Sequence, residues 1–139
     1  MTGFIQDKIK NPTRSLVTFF KLAATVTVAN ELLAIELTDG QVGPATSGTT
    51  VALLAGVSNQ SILAADALTQ VLAIELFAGD TWVVDCTNNS DVADNGQLMV
   101  LTDSTHVNNT HTTSASGIVE QVGTFGLAAD KKIIVKFVL

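Results

Sequence analysis

The chain is 139 residues long, which suits one domain with a core of its own, and its single cysteine excludes an internal disulfide. Charged residues make up only 14% of the sequence, against roughly 25% in ordinary soluble domains, and apolar residues make up 47%. So few charges predict that partners cover part of the surface, as in an obligate assembly; a neutral surface of threonine, serine and asparagine is the alternative. No segment has the roughly 18 continuous apolar residues of a membrane span, so we expect no membrane partner.

The charges are sorted along the chain. All seven basic residues lie near its two ends, and all thirteen acidic residues except Asp7 lie between Leu22 and Asp130. A nucleic-acid-binding protein normally presents a basic face, so this acidic body argues against nucleic acid as a partner. The basic ends either dock on an acidic neighbour, such as the body of another copy, or are solvated tips.

Residues 1–14 are predicted to be an N-terminal arm, because Asn11-Pro12 disfavours a continuous helix and no hydrophobic period is sustained. Residues 15–139 are predicted to form a single β domain, with a helical turn at Ser61–Ala67. About nine short strands with turn signals between them indicate an all-β fold, a small antiparallel barrel or sandwich. Eight runs carry most of this signal: Ser15–Val28, Asn30–Leu37, Val51–Val57, Val71–Leu76, Thr81–Cys86, Gln97–Leu101, Gly117–Val122 and Ile133–Leu139.

The stretch Val71–Cys86 is the predicted centre of this β core. Two alternating apolar runs flank the turn-like segment Phe77–Asp80, which predicts a β-hairpin or a strand-to-strand connection. Trp82 and Cys86 are the only tryptophan and the only cysteine of the chain. Because they alternate with polar or smaller residues along one strand, both are predicted to lie in the core.

Three segments are predicted to be loops from their content of glycine, proline, asparagine and serine: Gln41–Thr50, Thr87–Gly96 and Asp103–Ser116. In the last of these only Val107 and Ala115 are apolar. A loop of that length is uncommon in a compact domain and tends to be functional or mobile. We therefore expect it to face outward.

Oxygen-bearing side chains cluster around the second loop and offer a candidate calcium site, made of Asp85, Asn88, Asp91, Asp94 and Asn95. Neither possible register of an EF-hand puts glycine at the sixth position and glutamate at the twelfth. Turn chemistry accounts for these residues equally well. The sequence thus neither assigns nor excludes a calcium site in this loop.

Other catalytic or metal constellations are not predicted. His106 and His111 are five residues apart, a spacing that gives no shared ligand face on a strand or a helix. The chain has no G-x-S-x-G motif and no glycine-rich loop that opens a helix. We therefore predict a protein that is not an enzyme and that binds no cofactor.

Four stretches carry a family resemblance: VALLAGVSNQ at 51–60, VLAIELFAGDTWVVD at 71–85, GIVE at 117–120 and KKIIVKFVL at 131–139. Together with the charge-poor β domain and its arm, they resemble the capsid decoration (cement) proteins of tailed bacteriophages and related small virion head proteins. The resemblance contains no diagnostic motif, so it transfers no site residue. It implies a non-enzymatic protein, made in the host cytoplasm, that binds the outside of an icosahedral capsid as a dimer or trimer and stabilises it.

On this interpretation the partners are the major capsid protein and further copies of the chain. The contacts with the shell or a neighbouring subunit are predicted to come from basic residues near the two ends: Lys8, Lys10, Arg14, Lys21 and Lys136. Deletion of residues 2–14 is expected to abolish binding and to leave the β fold intact.

A carbohydrate- or receptor-binding β module, such as a fibre or adhesin head, is the alternative. In that case Trp82 would be an exposed platform for stacking instead of a core residue. Its place between Thr81 and Val83 in an apolar strand favours the core.

Overall fold

The computed structural model describes residues 2–7, 16–20, 29–35, 40–59, 61, 70–110 and 116–139. These residues form eleven β-strands, three single-turn 3-10 helices and no α-helix, so the all-β prediction is confirmed. The strands are β1 Ile5–Gln6, β2 Leu16–Phe20, β3 Leu32–Ile35, β4 Val42–Pro44, β5 Leu54–Ser58, β6 Gln70–Ile74, β7 Thr81–Cys86, β8 Leu98–Asp103, β9 His106–Asn108, β10 Val119–Thr124 and β11 Lys132–Phe137. The 3-10 turns are Val51–Leu53, Val92–Asp94 and Ala128–Asp130.

Six strands make the first sheet, in the order β1-β7-β11-β10-β8-β9. β9 also returns to β7, where Asp85 pairs with His106 and Cys86 with Val107 in the parallel direction. This pairing closes β7, β11, β10, β8 and β9 into a five-stranded barrel, which leaves these strands without an open sheet edge along the ring. β1 lies outside the ring, against the first half of β7.

Five strands make the second sheet, in the order β2-β6-β5-β3-β4, and all neighbours are antiparallel. β6 and β7 therefore belong to different sheets, and the stretch Val71–Cys86 is a strand-to-strand connection rather than a hairpin. Between them, the Asp80 N–H donates to the Phe77 carbonyl at 3.2 Å, and Gly79 has a φ of +87° that glycine adopts without strain. This turn passes the chain from the second sheet into the barrel.

The main core lies inside the barrel and continues to the second sheet. Every second residue of β7 points inward, so Trp82, Val84 and Cys86 are buried. The predictions that Trp82 and Cys86 are core residues are thus confirmed. Leu32 and Val57 of the second sheet belong to the same cluster. A separate cluster lies on the other face of that sheet and contains Leu33, Val42, Val71 and Ala73.

The beginning of the predicted N-terminal arm is part of this core. Phe4 is 1% exposed, and its ring stacks on that of Phe137 with the centroids 5.4 Å apart. The Gly3 N–H donates to Asp85 Oδ2 at 2.9 Å, and the Phe4 N–H donates to the Asn30 carbonyl at 2.8 Å. Residues 2–7 thus join the barrel to the turn before β3. The predicted boundary after residue 14 lies outside the described residues and stays a prediction.

Two of the predicted loops contain strands. β4 lies within Gln41–Thr50, and β9 lies within Asp103–Ser116. The prediction of an uninterrupted loop was therefore wrong for both segments. In each strand one valine, Val42 or Val107, points inward and is fully buried. A single inward side chain among polar or small neighbours is too weak a periodic signal to predict a strand from sequence.

Two other predicted segments cannot be compared with the structure. The predicted helical turn at Ser61–Ala67 lies, apart from Ser61, outside the described residues, and so does the second half of the predicted strand Ser15–Val28. Within the described ranges, no helix approaches the length and apolar character that crossing a membrane requires.

Candidate functional site

An open groove of about 290 Å³ lies at the end of the barrel where β11 finishes. The turn between β6 and β7 forms one side of it, and the last residues of the chain form the other. The residues that line the groove are Ala78, Gly79, Leu98, Glu120, Lys136, Phe137, Val138 and Leu139.

Strand pairing places three of these side chains in one row on the outer face of the barrel. Leu98 of β8 lies opposite Glu120 of β10, and Glu120 lies opposite Lys136 of β11. Opposed residues of antiparallel strands point to the same face, so the three side chains are neighbours. Lys136 Nζ and Glu120 Oε2 form an ion pair of 3.1 Å across this row. The fold therefore fixes a charged pair beside an apolar side chain at the groove.

Two of the lining residues, Val138 and Leu139, have exposed apolar side chains and form the rim of the groove. Phe77, which precedes the lining residue Ala78 in the chain, is exposed as well. β11 ends at Phe137, but the Val138 N–H still donates to the Ile118 carbonyl at 2.9 Å, which holds the following residues against the barrel. An apolar rim with an ion pair at its edge has the composition of a protein contact surface.

Lys136 is the one predicted contact residue within the described part of the chain, and it lies in the groove. The other four predicted contact residues lie outside the described residues: Lys8, Lys10, Arg14 and Lys21. The structure therefore locates Lys136 in the groove, and the four contacts predicted near the N-terminus stay predictions.

Three of the five residues considered for calcium, Asp85, Asp91 and Asn95, take part in other interactions. In the described part of the chain, no three His, Cys, Asp or Glu side chains come together as a metal site. Asp85 Oδ1 pairs with Lys132 Nζ at 2.7 Å, and Asp91 accepts a backbone N–H of the 3-10 turn that follows it at 2.9 Å. Asn95 Oδ1 accepts from Gln121 Nε2 at 3.0 Å. Cap, ion-pair and side-chain hydrogen-bond roles thus account for Asp85, Asp91 and Asn95.

His106 belongs to a local network at the turn between β8 and β9. The N–H and the hydroxyl of Thr105 both donate to Asp103 Oδ1 at 2.9 Å, and His106 Nδ1 lies 3.1 Å from the same oxygen. Partial burial by itself raises the pKa of Asp103, but the hydrogen bonds from Thr105 and the contact with His106 outweigh it and lower that pKa below its usual value. The network fixes a tight turn. His111 lies outside the described residues.

Cys86 carries a free, buried thiol. Burial, followed by the negative charge of Asp85, raises the pKa of this thiol from 9.0 to about 11, and Lys131 and Lys132 offset only part of that rise. The thiol also donates a hydrogen bond to the Asn88 carbonyl, with Sγ and the oxygen 3.1 Å apart. At neutral pH it is a protonated core group and not a nucleophile.

We expect the Cys86 thiol of the folded protein to react slowly with Ellman's reagent at pH 8. A rise in pKa from 9.0 to about 11 lowers the thiolate fraction about a hundredfold, and burial restricts access further. The measurement compares the labelling rate in buffer with the rate in concentrated urea, where one thiol per chain becomes accessible. Equal rates in the two solutions would contradict the burial of Cys86.

The chain matches no protein-family model and no curated protein. Two observations from the structure and the sequence therefore bear on its function: the groove and the distribution of charge.

The apolar rim residues carry little signal in the sequence. Val138 and Leu139 continue an apolar run that predicts a strand up to Leu139, but β11 ends at Phe137. Their exposure becomes visible only once the pairing of β11 with its neighbours is known. For the exposed Phe77, the one signal is its place at the start of the turn Phe77–Asp80, where the chain leaves a strand.

Proposed function

We propose that the protein is a non-enzymatic structural virion protein that binds the outer surface of an icosahedral phage capsid and stabilises it, as decoration or cement proteins do. Its partners on this proposal are the major capsid protein and further copies of the chain. Its location is the capsid surface of the virion.

The groove is the observation that carries the proposal. Its rim of Val138 and Leu139 is the kind of exposed apolar surface that a protein partner covers. The ion pair of Lys136 with Glu120 supplies charge beside that rim, and charges at the edge of a contact orient the partner. The low charged fraction of the whole chain, 14%, supports the same proposal because a free surface is seldom so poor in charge.

The capsid as the partner comes from the sequence resemblance. The resembling stretches contribute to β5, β6, β7, β10 and β11, and the last two of these strands line the groove. On this proposal the basic residues near the two ends of the chain are attracted to an acidic shell. The segment between them, Leu22–Asp130, is acidic and adds no such attraction.

The alternative, a carbohydrate- or receptor-binding module, depended on an exposed Trp82. The ring of Trp82 is fully buried and packs edge-on against Phe137, with the centroids 6.0 Å apart. No face of this ring is open to a sugar, so the alternative has no supporting observation.

Co-sedimentation with capsid shells tests the proposal. The shells are assembled from the major capsid protein encoded in the same genome, mixed with the purified protein and pelleted through a sucrose cushion. We expect the wild-type protein to pellet at a saturable ratio. Leu139→Glu is expected to lower the affinity by about tenfold or more, because it puts a charge into the apolar part of the contact.

Leu16→Glu is the matched control for Leu139→Glu. Leu16 is 43% exposed and Leu139 is 52% exposed, but Leu16 lies on β2 of the second sheet, away from the groove. We expect Leu16→Glu to pellet like the wild type. A wild-type protein that stays in the supernatant at every concentration would overturn the proposal, and equal losses by the two variants would exclude the groove as the contact.

A further inference from the structure

Three buried polar atoms in the described part of the chain have no hydrogen-bond partner within the protein: Gln6 Nε2, Trp82 Nε1 and Gln121 Oε1. Gln6 is 8% exposed, and the other two residues are fully buried, so bulk solvent does not reach these atoms. Buried polar groups in proteins almost always have a partner, because a donor or acceptor that is removed from water and left unpaired destabilises the folded state. A partner for these three atoms is therefore expected.

Strand pairing places the three residues in one row across the inner face of the first sheet. Gln6 of β1 lies opposite Trp82 of β7. Trp82 lies opposite Val135 of β11, which in turn lies opposite Gln121 of β10. Opposed residues of antiparallel strands point to the same face, and all four are buried. We call Gln6, Trp82, Val135 and Gln121 the inner row.

The two donors of the inner row are close neighbours. The Asp7 N–H donates to the Thr81 carbonyl at 3.1 Å, so Asp7 and Thr81 form a hydrogen-bonded pair. The adjacent pair, Gln6 and Trp82, is then a non-hydrogen-bonded pair, in which Cα atoms lie about 4.5 Å apart and side chains are at their closest. Gln6 Nε2 and Trp82 Nε1 thus belong to adjacent side chains on one face.

The acceptor at the other end of the row is oriented by a loop. Gln121 Nε2 donates to the Asp91 carbonyl at 2.8 Å and to Asn95 Oδ1 at 3.0 Å. These two bonds use both hydrogens of the amide nitrogen and establish which end of the amide is the nitrogen. Gln121 Oε1 is therefore an acceptor within the core. Val135, which separates Gln121 from Trp82, has the smallest side chain of the row.

The inner row requires a molecule that accepts hydrogen bonds from N–H groups and donates one to a carbonyl oxygen. A metal cation accepts no hydrogen bond from an N–H group. An anion has no hydrogen to donate to Gln121 Oε1, and the row contains no basic side chain that could compensate its charge. Water does both, and a buried water molecule typically makes about three hydrogen bonds.

We infer that the inner row binds an internal water molecule, whose oxygen accepts from Trp82 Nε1 and Gln6 Nε2 and which donates a hydrogen to Gln121 Oε1. One site then serves all three atoms. Because these residues lie on β7, β1 and β10, the water joins the N-terminal strand to the barrel across β11. The inference does not depend on the proposed function.

Nuclear magnetic resonance of the isotope-labelled full chain tests the inference. Trp82 is the only tryptophan, so its indole N–H gives one signal that needs no further assignment. We expect a rotating-frame Overhauser cross-peak between this proton and water, with the sign of a through-space contact and not of proton exchange. Because bulk solvent does not reach the indole N–H, absence of this cross-peak overturns the inference.

Gln6→Met distinguishes a bound water from an unpaired donor by the sign of a stability change. Methionine has nearly the length of glutamine and no N–H, so it removes the donor with little change in packing. If Gln6 Nε2 bonds to water, the variant loses a hydrogen bond. Its folding equilibrium constant is then expected to fall about fivefold in urea unfolding, and the cross-peak of Trp82 to weaken.

The opposite sign is expected if Gln6 Nε2 is unpaired. Methionine would then replace a buried polar group that has no partner, and the folding equilibrium constant would rise. A rise would overturn the shared site, even if the cross-peak of Trp82 were present, because Gln6 would not hold the water.

Ile5→Met is the matched control for Gln6→Met. Ile5 precedes Gln6 on β1 and points to the opposite face, so this variant places methionine on the same strand but outside the inner row. We expect the cross-peak between the Trp82 indole proton and water to persist at its wild-type intensity. Equal loss of the cross-peak in both variants would show that any change in β1 releases the water, and would overturn the direct bond from Gln6.

Discussion

The Phe4→Ala variant is expected to lose about 3–5 kcal/mol of the free energy of unfolding. Phe4 is 1% exposed and stacks on Phe137, so alanine leaves a cavity and removes the ring contact. That loss is a large share of the roughly 5–15 kcal/mol that holds a domain folded. Urea unfolding followed by the fluorescence of Trp82 measures it, because Trp82 is the only tryptophan and is fully buried.

Phe125→Ala is the control for this loss. The ring of Phe125 is about half exposed, so its removal is expected to change the free energy of unfolding by no more than about 0.5 kcal/mol. A loss below about 1 kcal/mol for Phe4→Ala would mean that residues 2–7 detach from the barrel at little cost, and would contradict their place in the core.

The burial of Phe4 also changes what an N-terminal deletion is expected to do. From the sequence, removal of residues 2–14 should leave the β fold intact. The structure shows that this deletion takes away β1 and a core aromatic residue, so it is expected to destabilise the barrel. Point substitutions in the groove are therefore the sharper test of shell binding.

Gly117→Ala is expected to cost about 1–3 kcal/mol, because the segment that leads into β10 comes too close to β8 at Gly117 for a side chain. An added Cβ would lie 2.7 Å from the Cβ of Leu98 and 2.8 Å from the backbone nitrogen of Met99. The strands cannot separate freely, since the Ile118 N–H donates to the Met99 carbonyl at 2.9 Å. The same urea unfolding measures the loss.

Gly123→Ala, within β10 itself, is the matched control. Its Cβ would meet the Cδ1 of Ile134 at 3.5 Å, an ordinary contact. Alanine also restricts the unfolded chain, so this variant is expected to be neutral or more stable by up to about 1 kcal/mol. If both variants lost stability equally, the close approach at Gly117 would not be the cause.

The strands that sequence predicted well are those in which many successive residues alternate. β7 matches the predicted run Thr81–Cys86 at both ends. β11, Lys132–Phe137, agrees with the predicted run Ile133–Leu139 to one residue at its start and two at its end. In both strands every second side chain is buried, so the alternation of residue types along the strand shows which face is buried. The burial of Trp82 and Cys86 followed from the same alternation.

The closure of the barrel could not be predicted in this way. It depends on a parallel pairing of residues 85–86 with residues 106–107, which is made by backbone groups that every residue has. Side-chain patterns specify which face is buried, and they say little about which strand lies next to which. For that reason the sequence could not distinguish a barrel from a sandwich.

The groove was only partly predictable for a related reason. Lys136 stood out because basic residues are confined to the ends of the chain, and it does lie in the groove. For its apolar neighbours Val138 and Leu139 the sequence predicts a strand and no exposure, because exposure depends on where β11 stops pairing.

The position of β11 has a consequence for how the chain is made. β11 is the last of the described strands in the sequence, yet it lies between β7 and β10 in the barrel. A nascent chain therefore exposes the facing edges of β7 and β10 on the ribosome until residue 137 has been translated. Phe4 is synthesised well before its stacking partner Phe137. Folding of the barrel is thus completed after translation of this region, and the speed of that last step determines how long unpaired strands are open to aggregation.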